Sequence, residues 1–158
     1  MTQGAPRAAV RETIHANAML LGEAGLLLRG PSGSGKSALS LDLIDRAQAR
    51  GDFARLVADD RVELTAANGR LIARPHPAIA GLMEIRGRGV VRVPFESAGV
   101  IRLVVDLLGA ASWPERCPQQ GAREAKLCGI TLPRLYARAD DPRAPSQIFH
   151  CLHTLVTK

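Results

Sequence analysis

The chemistry most easily read in this chain lies in eight consecutive residues, Gly30-Pro31-Ser32-Gly33-Ser34-Gly35-Lys36-Ser37. They satisfy every fixed position of the phosphate-loop pattern: glycine, four variable residues, glycine, lysine, then serine or threonine. The pattern has a mechanical reason. Gly30, Gly33 and Gly35 let the backbone turn tightly and present its N–H groups to an anion. A helix starting behind the loop adds the positive end of its dipole. Lys36 has the reach to meet β- and γ-phosphates, and the Ser37 hydroxyl can bind Mg²⁺. The alternative is a glycine-rich turn with no ligand. The flanks argue against it, because Leu26-Leu27-Leu28 reads as a buried strand and Lys36 to Arg50 as a helix. Strand, loop, helix is the order the motif requires.

Other residues could act with this loop. Arg55 to Ala58 reads as a short strand ending in Asp59-Asp60. Phosphate-loop enzymes keep a metal-binding or water-positioning acid in such a place. Neighbouring strand residues face opposite ways, so only one of the two acids would aim at the phosphates in an extended chain. The sequence does not say which, and a pair of solvated loop acids is the alternative. Further on, Leu82-Met83-Glu84-Ile85-Arg86-Gly87-Arg88-Gly89 sets a carboxylate and two guanidiniums beside glycines. That set suits metal-bound phosphate, or it is a charged surface turn. His15 enters through strand pairing. Thr13 to Leu21 and Gly25 to Leu28 flank the turn signal Gly22-Glu23-Ala24-Gly25. If Leu21 faces Leu26, paired residue numbers sum to about 47, give or take two for turn type, and His15 falls opposite Ser32. A lone histidine near a strand end is often structural, but this register carries it back to the phosphate loop. His150 and His153 share a helix face and could ligate metal. They have no partner pair at metal-site spacing, which favours ordinary packing.

The remaining elements position these groups. The helix after Ser37 buries Leu39, Leu43 and Ala47, with Leu41 and Ile44 widening the stripe, and Gly51 stops it. Val62 to Ala66 and Arg70 to Arg74 form a hairpin through Asn68-Gly69. Pro75 ends it, and Ala78 to Met83 reads as a short helix. Ile101 to Leu108 is a buried strand. Residues 110–123 read as an irregular loop, and Leu127 to Tyr136 as a strand broken at Pro133. Asp140 to Pro145 is a linker, and Gln147 to Val156 an amphipathic helix. Residues 1–12 read as a loose tail and 13–158 as a single domain.

Composition bounds the function. A chain of 158 residues suffices for one domain with a real core. Aromatics make up only 3%, so the core is aliphatic and no stacking platform for single-stranded nucleic acid exists. The net charge of +6 suits an acidic partner such as a nucleotide or an acidic protein, or is a solvated basic surface. No apolar run approaches membrane-span length, and no secretory signal is evident. Cys117, Cys128 and Cys151 are odd in number and form no CxxC pair, which fits a reducing cytoplasm.

His15, the loop Gly30–Ser37, Leu56-Val57-Ala58-Asp59-Asp60-Arg61-Val62 and Leu82–Gly89 occur in one order. Together they resemble the HPr kinase/phosphorylase family, bacterial enzymes that phosphorylate a serine on the phosphocarrier protein HPr. The Glu84-Ile85-Arg86-Gly87 segment is close to that family's signature. The likeness is firm over residues 13–106 and weaker beyond. It implies an α/β fold, a P-loop domain related to phosphoenolpyruvate carboxykinase, with a mixed β-sheet and flanking helices. It implies ATP and Mg²⁺ as cofactors. By the same resemblance His15 is the active-site histidine, Lys36 the phosphate-binding lysine and Ser37 a metal-binding residue. The Asp59-Asp60 pair supplies the general base, which serves as acid in reverse. Glu84 makes a second Mg²⁺ contact, Arg86 lies in the nucleotide signature, and Arg116 is an active-site arginine. Pro133 to Arg138 corresponds to the loop tied to dephosphorylation.

The chain departs from the family in places. It begins just before the kinase core, so the family's N-terminal domain is expected to be absent, and it ends early, as in short alphaproteobacterial forms. Ala16 stands where the family has glycine, and residues 133–138 lose a family lysine and glycine. Kinase activity is therefore expected to survive better than phosphorylase activity. The expected partners are HPr or an HPr-like protein and further copies of the chain. Neither nucleic acid nor membrane is expected. Two other functions fit the loop: a non-catalytic nucleotide-binding regulatory module and a small-molecule kinase.

Overall fold

The computed structural model describes residues 8–109, 112–113 and 123–157. Among these residues, eleven strands and two α-helices are arranged as a mixed α/β domain. The strands are β1 (Arg11–Ile14), β2 (Ala16–Leu21), β3 (Ala24–Arg29), β4 (Ala54–Ala58), β5 (Val62–Ala67), β6 (Arg70–Pro75), β7 (Leu82–Ile85), β8 (Gly89–Arg92), β9 (Gly99–Leu107), β10 (Glu124–Leu127) and β11 (Ile130–Ala137). The helices are α1 (Lys36–Ala49) and α2 (Ala144–Val156). The large sheet runs β1-β5-β6-β9-β3-β2-β4, with β11 beside β9 and β10 beside β11. Strand β9 lies parallel to β3 and β11 and antiparallel to β6, so the sheet is mixed as expected.

Strand β9 joins the two halves of the sheet. One edge pairs with β3; the other is shared, Gly99–Ile101 pairing with β6 and Val104–Leu107 with β11. Such a strand must be apolar on both faces. Leu103, Val105 and Leu107 pack with Leu26, Leu28 and the α1 residues Leu39, Leu43 and Ala47. Ile101 and Val104 pack on the opposite face with Leu27, Leu64 and Leu71. The core is aliphatic, and the stripe predicted for α1 is the one buried, except that Leu41 is only partly covered.

Several expectations change. Thr13–Leu21, read as one strand, divides into β1 and β2 at His15, and Leu127 ends β10 while β11 starts at Ile130. Strand β1 begins at Arg11, inside the stretch read as a tail, because Arg11–Ile14 pair with Thr65–Val62 of β5. The short helix expected over Ala78–Met83 is a single 3₁₀ turn at Pro77–Ile79, held by the Ala78 N–H donating to His76 Nδ1 at 3.2 Å. Leu82 and Met83 join β7 instead, where Met83 packs into the α1-side core. Pro133 does not break its strand. It occupies the last pair of the β10–β11 ladder, and the parallel ladder to β9 starts one residue later, so its missing N–H interrupts neither. Helix α2 starts at Ala144, inside the expected linker, with Pro145 in the first turn where its lost donor is harmless. No described helix is long and apolar enough to cross a membrane.

Candidate active site

Strand β3 delivers the chain into the glycine loop, and α1 leaves it. Gly33 has φ 78° and Gly35 φ 92°, a left-handed geometry that L side chains resist. Gly35 is the N-cap of α1 and supplies no side-chain cap, so the first-turn N–H groups face the loop's concavity. The Lys36 ammonium folds back on the loop, donating to the Gly30 carbonyl at 2.9 Å and the Pro31 carbonyl at 3.1 Å. The buried Ser34 hydroxyl has no hydrogen-bond partner among the described residues. Uncapped helix N–H groups, a buried unpaired hydroxyl and a lysine resting on carbonyls together fit an anion with several oxygens.

The two acids are held differently. Asp59 is buried. Its Oδ1 accepts from the Ser37 hydroxyl at 2.7 Å and from Asn17 Nδ2 at 2.8 Å, and its Oδ2 accepts from the Glu84 backbone N–H at 3.0 Å. Asp60 is exposed and contacts His15, with Nδ1 and Oδ1 3.1 Å apart. Strand β4 stops at Ala58, so simple alternation does not set their directions. A tight turn does: Asp60 has φ 68°, and the Arg61 N–H donates to the Asp59 carbonyl at 2.8 Å. Such a conformation in a non-glycine residue costs about 1 kcal/mol and persists only where its surroundings impose it.

His15 reaches the site by a route other than the one expected. The β2–β3 register sums to 45, within the expected range, but the ladder ends at Ala16 opposite Arg29 and does not include His15. His15 sits at the bend where β1 leaves for β5, and it meets Asp60 rather than Ser32. The Ala16 N–H donates to the Asp60 carbonyl at 3.2 Å, tying this bend to the acid turn.

The β7–β8 hairpin closes the site from the far side. A cleft of about 810 Å³ is lined by Ser32, Gly33, Gly35, Lys36, Ser37, Asp59, Asp60, Glu84, Arg86 and Arg88, among others. Three segments singled out in the sequence thus face one space. Ser37, Asp59 and Glu84 offer one hydroxyl and two carboxylates, a set that fits Mg²⁺, which keeps waters and phosphate oxygens in its shell rather than an all-protein cage. No group of three or more His, Cys, Asp or Glu able to hold a metal occurs among the described residues.

Other candidates lie elsewhere. Arg116 falls outside the described residues, as does most of the loop expected over 110–123. Arg134 lies 3.6 Å from Asp106 and over the Tyr136 ring, while Arg138 binds Asp140 through two contacts of 3.0 and 2.7 Å. His150 and His153 line a separate groove between α1, α2 and the β2–β3 turn.

Two features escaped the sequence reading. Asn17 is fully buried at the heart of the site. Its only signal was one polar residue inside the apolar run Ala16–Leu21. Arg29 and Asp106, opposite each other at the ends of parallel β3 and β9, form a bidentate ion pair of 2.7 and 2.8 Å beneath the glycine loop.

Comparison with known proteins gives a consistent picture. The model of the HPr Serine kinase C-terminal domain matches residues 7–136. The HPr kinase/phosphorylase of Lactobacillus acidophilus is 32% identical over 140 residues, covering 82% of this chain and 41% of that protein. That of Treponema pallidum strain Nichols is 46% identical over 71 residues, covering 44% of this chain and 20% of that protein. The chain thus spans about a fifth to two fifths of these curated relatives. The structure of the Hpr(Ser) kinase/phosphatase from Coxiella burnetii superposes with a TM-score of 0.73 at 27% identity, covering 90% of this chain and 89% of that one.

Proposed function

Because the chain belongs to the HPr serine kinase C-terminal domain family, we propose that it is an ATP-dependent kinase that phosphorylates a serine of HPr or an HPr-like phosphocarrier. The observation that carries this reading is the single cleft in which an uncapped phosphate loop meets one buried and one exposed aspartate. A pure nucleotide binder has no use for a second, solvent-facing acid paired with histidine. The relatives' names supply the acceptor.

In this reading the residues divide the work. The loop Gly30–Ser37 cradles the phosphates of ATP with its backbone N–H groups. Lys36 exchanges its carbonyl partners for phosphate oxygens, and Arg86 at the cleft rim adds positive charge where the transferring phosphoryl needs it. Ser37, Asp59 and Glu84 would hold Mg²⁺, which would supply neutralisation of charge on the phosphate oxygens. Asp60 accepts the proton of the attacking serine hydroxyl, and His15 orients its carboxylate. Arg116 is assigned to the same cleft by resemblance alone.

The test is transfer of radiolabelled phosphate from ATP to purified HPr. Label on an HPr serine, lost when that serine is replaced by alanine, is the expected result. Nucleotide binding without transfer would leave a binding module in its place.

A further inference from the structure

We propose that Asn17 is a positioning residue that assigns the two acids their separate roles; this rests on the kinase reading above. Its side chain lies between them. Asn17 Nδ2 donates to the Asp59 carboxylate at 2.8 Å and to the Ser40 hydroxyl at 3.1 Å, with the Ser37 hydroxyl more distant at 3.5 Å. Its Oδ1 accepts the backbone N–H of Asp60 at 2.8 Å. One amide therefore grips the side chain of one acid and the main chain of the next.

Only an amide meets both demands. The Asp59 side needs a donor, and the Asp60 side needs an acceptor about one side-chain width away. An aspartate would set a second carboxylate against Asp59, and an aliphatic residue would leave a buried carboxylate short of a donor and a peptide N–H unpaired. Ser40 fixes the amide's orientation, since its own hydroxyl proton goes to the Lys36 carbonyl at 2.7 Å and its oxygen is left to accept. Asn17 is held in turn by strand β2, paired with Leu28 of β3 one residue short of the glycine-loop exit. The consequence is geometric. With the Asp60 N–H drawn inward, the turn at Asp60 keeps its positive φ, and the carboxylate points out toward His15. With the Asp59 side chain drawn inward, it stays beside Ser37.

The test uses Asn17→Leu, close in volume, and Asn17→Ser, small enough to fold if the leucine variant does not. Two measurements are made on each. In phosphoryl transfer to HPr, kcat is expected to fall on the order of 10²-fold, the scale of an ångström-level misplacement, while KM for ATP stays within about threefold. In amide hydrogen exchange of the nucleotide-free protein, the Asp60 N–H is expected to exchange at least about tenfold faster, while Leu27 and Leu28 in β3 keep their protection. A purely structural asparagine would loosen β3 together with Asp60. An active wild type whose variants keep kcat, or whose Asp60 and β3 amides loosen together, overturns the inference and leaves the kinase reading standing. A wild type that does not label HPr overturns that reading, and the inference with it.

Discussion

The Ser37 hydroxyl donates to the Asp59 carboxylate across 2.7 Å, joining the last residue of the phosphate loop to the end of strand β4. In the proposed reading that bond keeps the buried Asp59 with the metal-binding set and leaves the exposed Asp60 as the acid open to an incoming hydroxyl. The Asp60→Asn variant should therefore lose about 10²–10⁴-fold in kcat, the range for a removed general base, with little change in ATP affinity. Asp59→Asn should instead raise the Mg²⁺ concentration needed for half-maximal rate. Steady-state kinetics across a Mg²⁺ series separates the two, and equal, small effects at both positions would reject the division.

Lys36→Ala should abolish phosphoryl transfer and leave the fold intact. Among the described residues the ammonium donates its hydrogen bonds to the carbonyls of Gly30 and Pro31, both within the loop itself, so its loss removes no hydrogen bond between core elements. Circular dichroism and calorimetric ATP titration on the variant make the check. Wild-type turnover in folded Lys36→Ala protein would contradict the role given to the loop.

Glu84→Ala should raise the Mg²⁺ requirement several-fold without disturbing Asp59. The bond that Glu84 makes to Asp59 comes from its backbone N–H, which alanine retains. The carboxylate alone is lost, so any shift in the metal titration of initial rate reports on that carboxylate. An unchanged titration would return Glu84 to the status of a charged hairpin residue.

Transfer to HPr should run faster than phosphate-stimulated release from phosphoserine-HPr. The arginines that could hold inorganic phosphate are already engaged, Arg134 beside Asp106 and Arg138 with Asp140. The Arg138 hydrogen bond holds the Asp140 carboxyl below its ordinary range. A depressed carboxylate keeps its pair above that lowered value and loses it only as pH falls through it. Acidifying from about pH 8 to 5, still above the usual aspartate range, should therefore not release Arg138 or speed the reverse reaction. Phosphate release measured with and without inorganic phosphate across that range would show otherwise if the arginine were free to switch.

Much of this was legible because local chemistry fixed it. The glycine loop, the Asn68-Gly69 hairpin and the apolar run of β9 each carry their own conformational signal, and all three form where expected. The failures share a different cause. Whether Leu82 and Met83 form helix or strand is decided by β8 and the core beneath, not by their own propensities. Pro133 is harmless only because two ladders change over at its position. His15 and Asp60 meet because β1 turns away to β5, a pairing that no spacing near His15 announces. Asn17 was the hardest to see, since one polar residue in a buried strand reveals nothing of partners that lie 20 to 43 positions along the chain.

The place of β9 in the sheet also governs when the site can exist. Strand β3, which feeds the phosphate loop, finds its parallel partner 77 residues downstream, as Arg29 and Asp106 show. Until that partner arrives, a growing chain has β2 on one side of β3 and nothing on the other, and Leu26, Leu27 and Leu28 lie along an open edge. Such long-range parallel pairing is slow, because loop closure must precede any gain from contact. A nascent chain ending before Gly99 would hold the entire phosphate-binding motif, both acids and the Glu84 hairpin. It would still lack the strand that holds them in register, so nucleotide affinity should appear late in synthesis, as a property of the closed sheet.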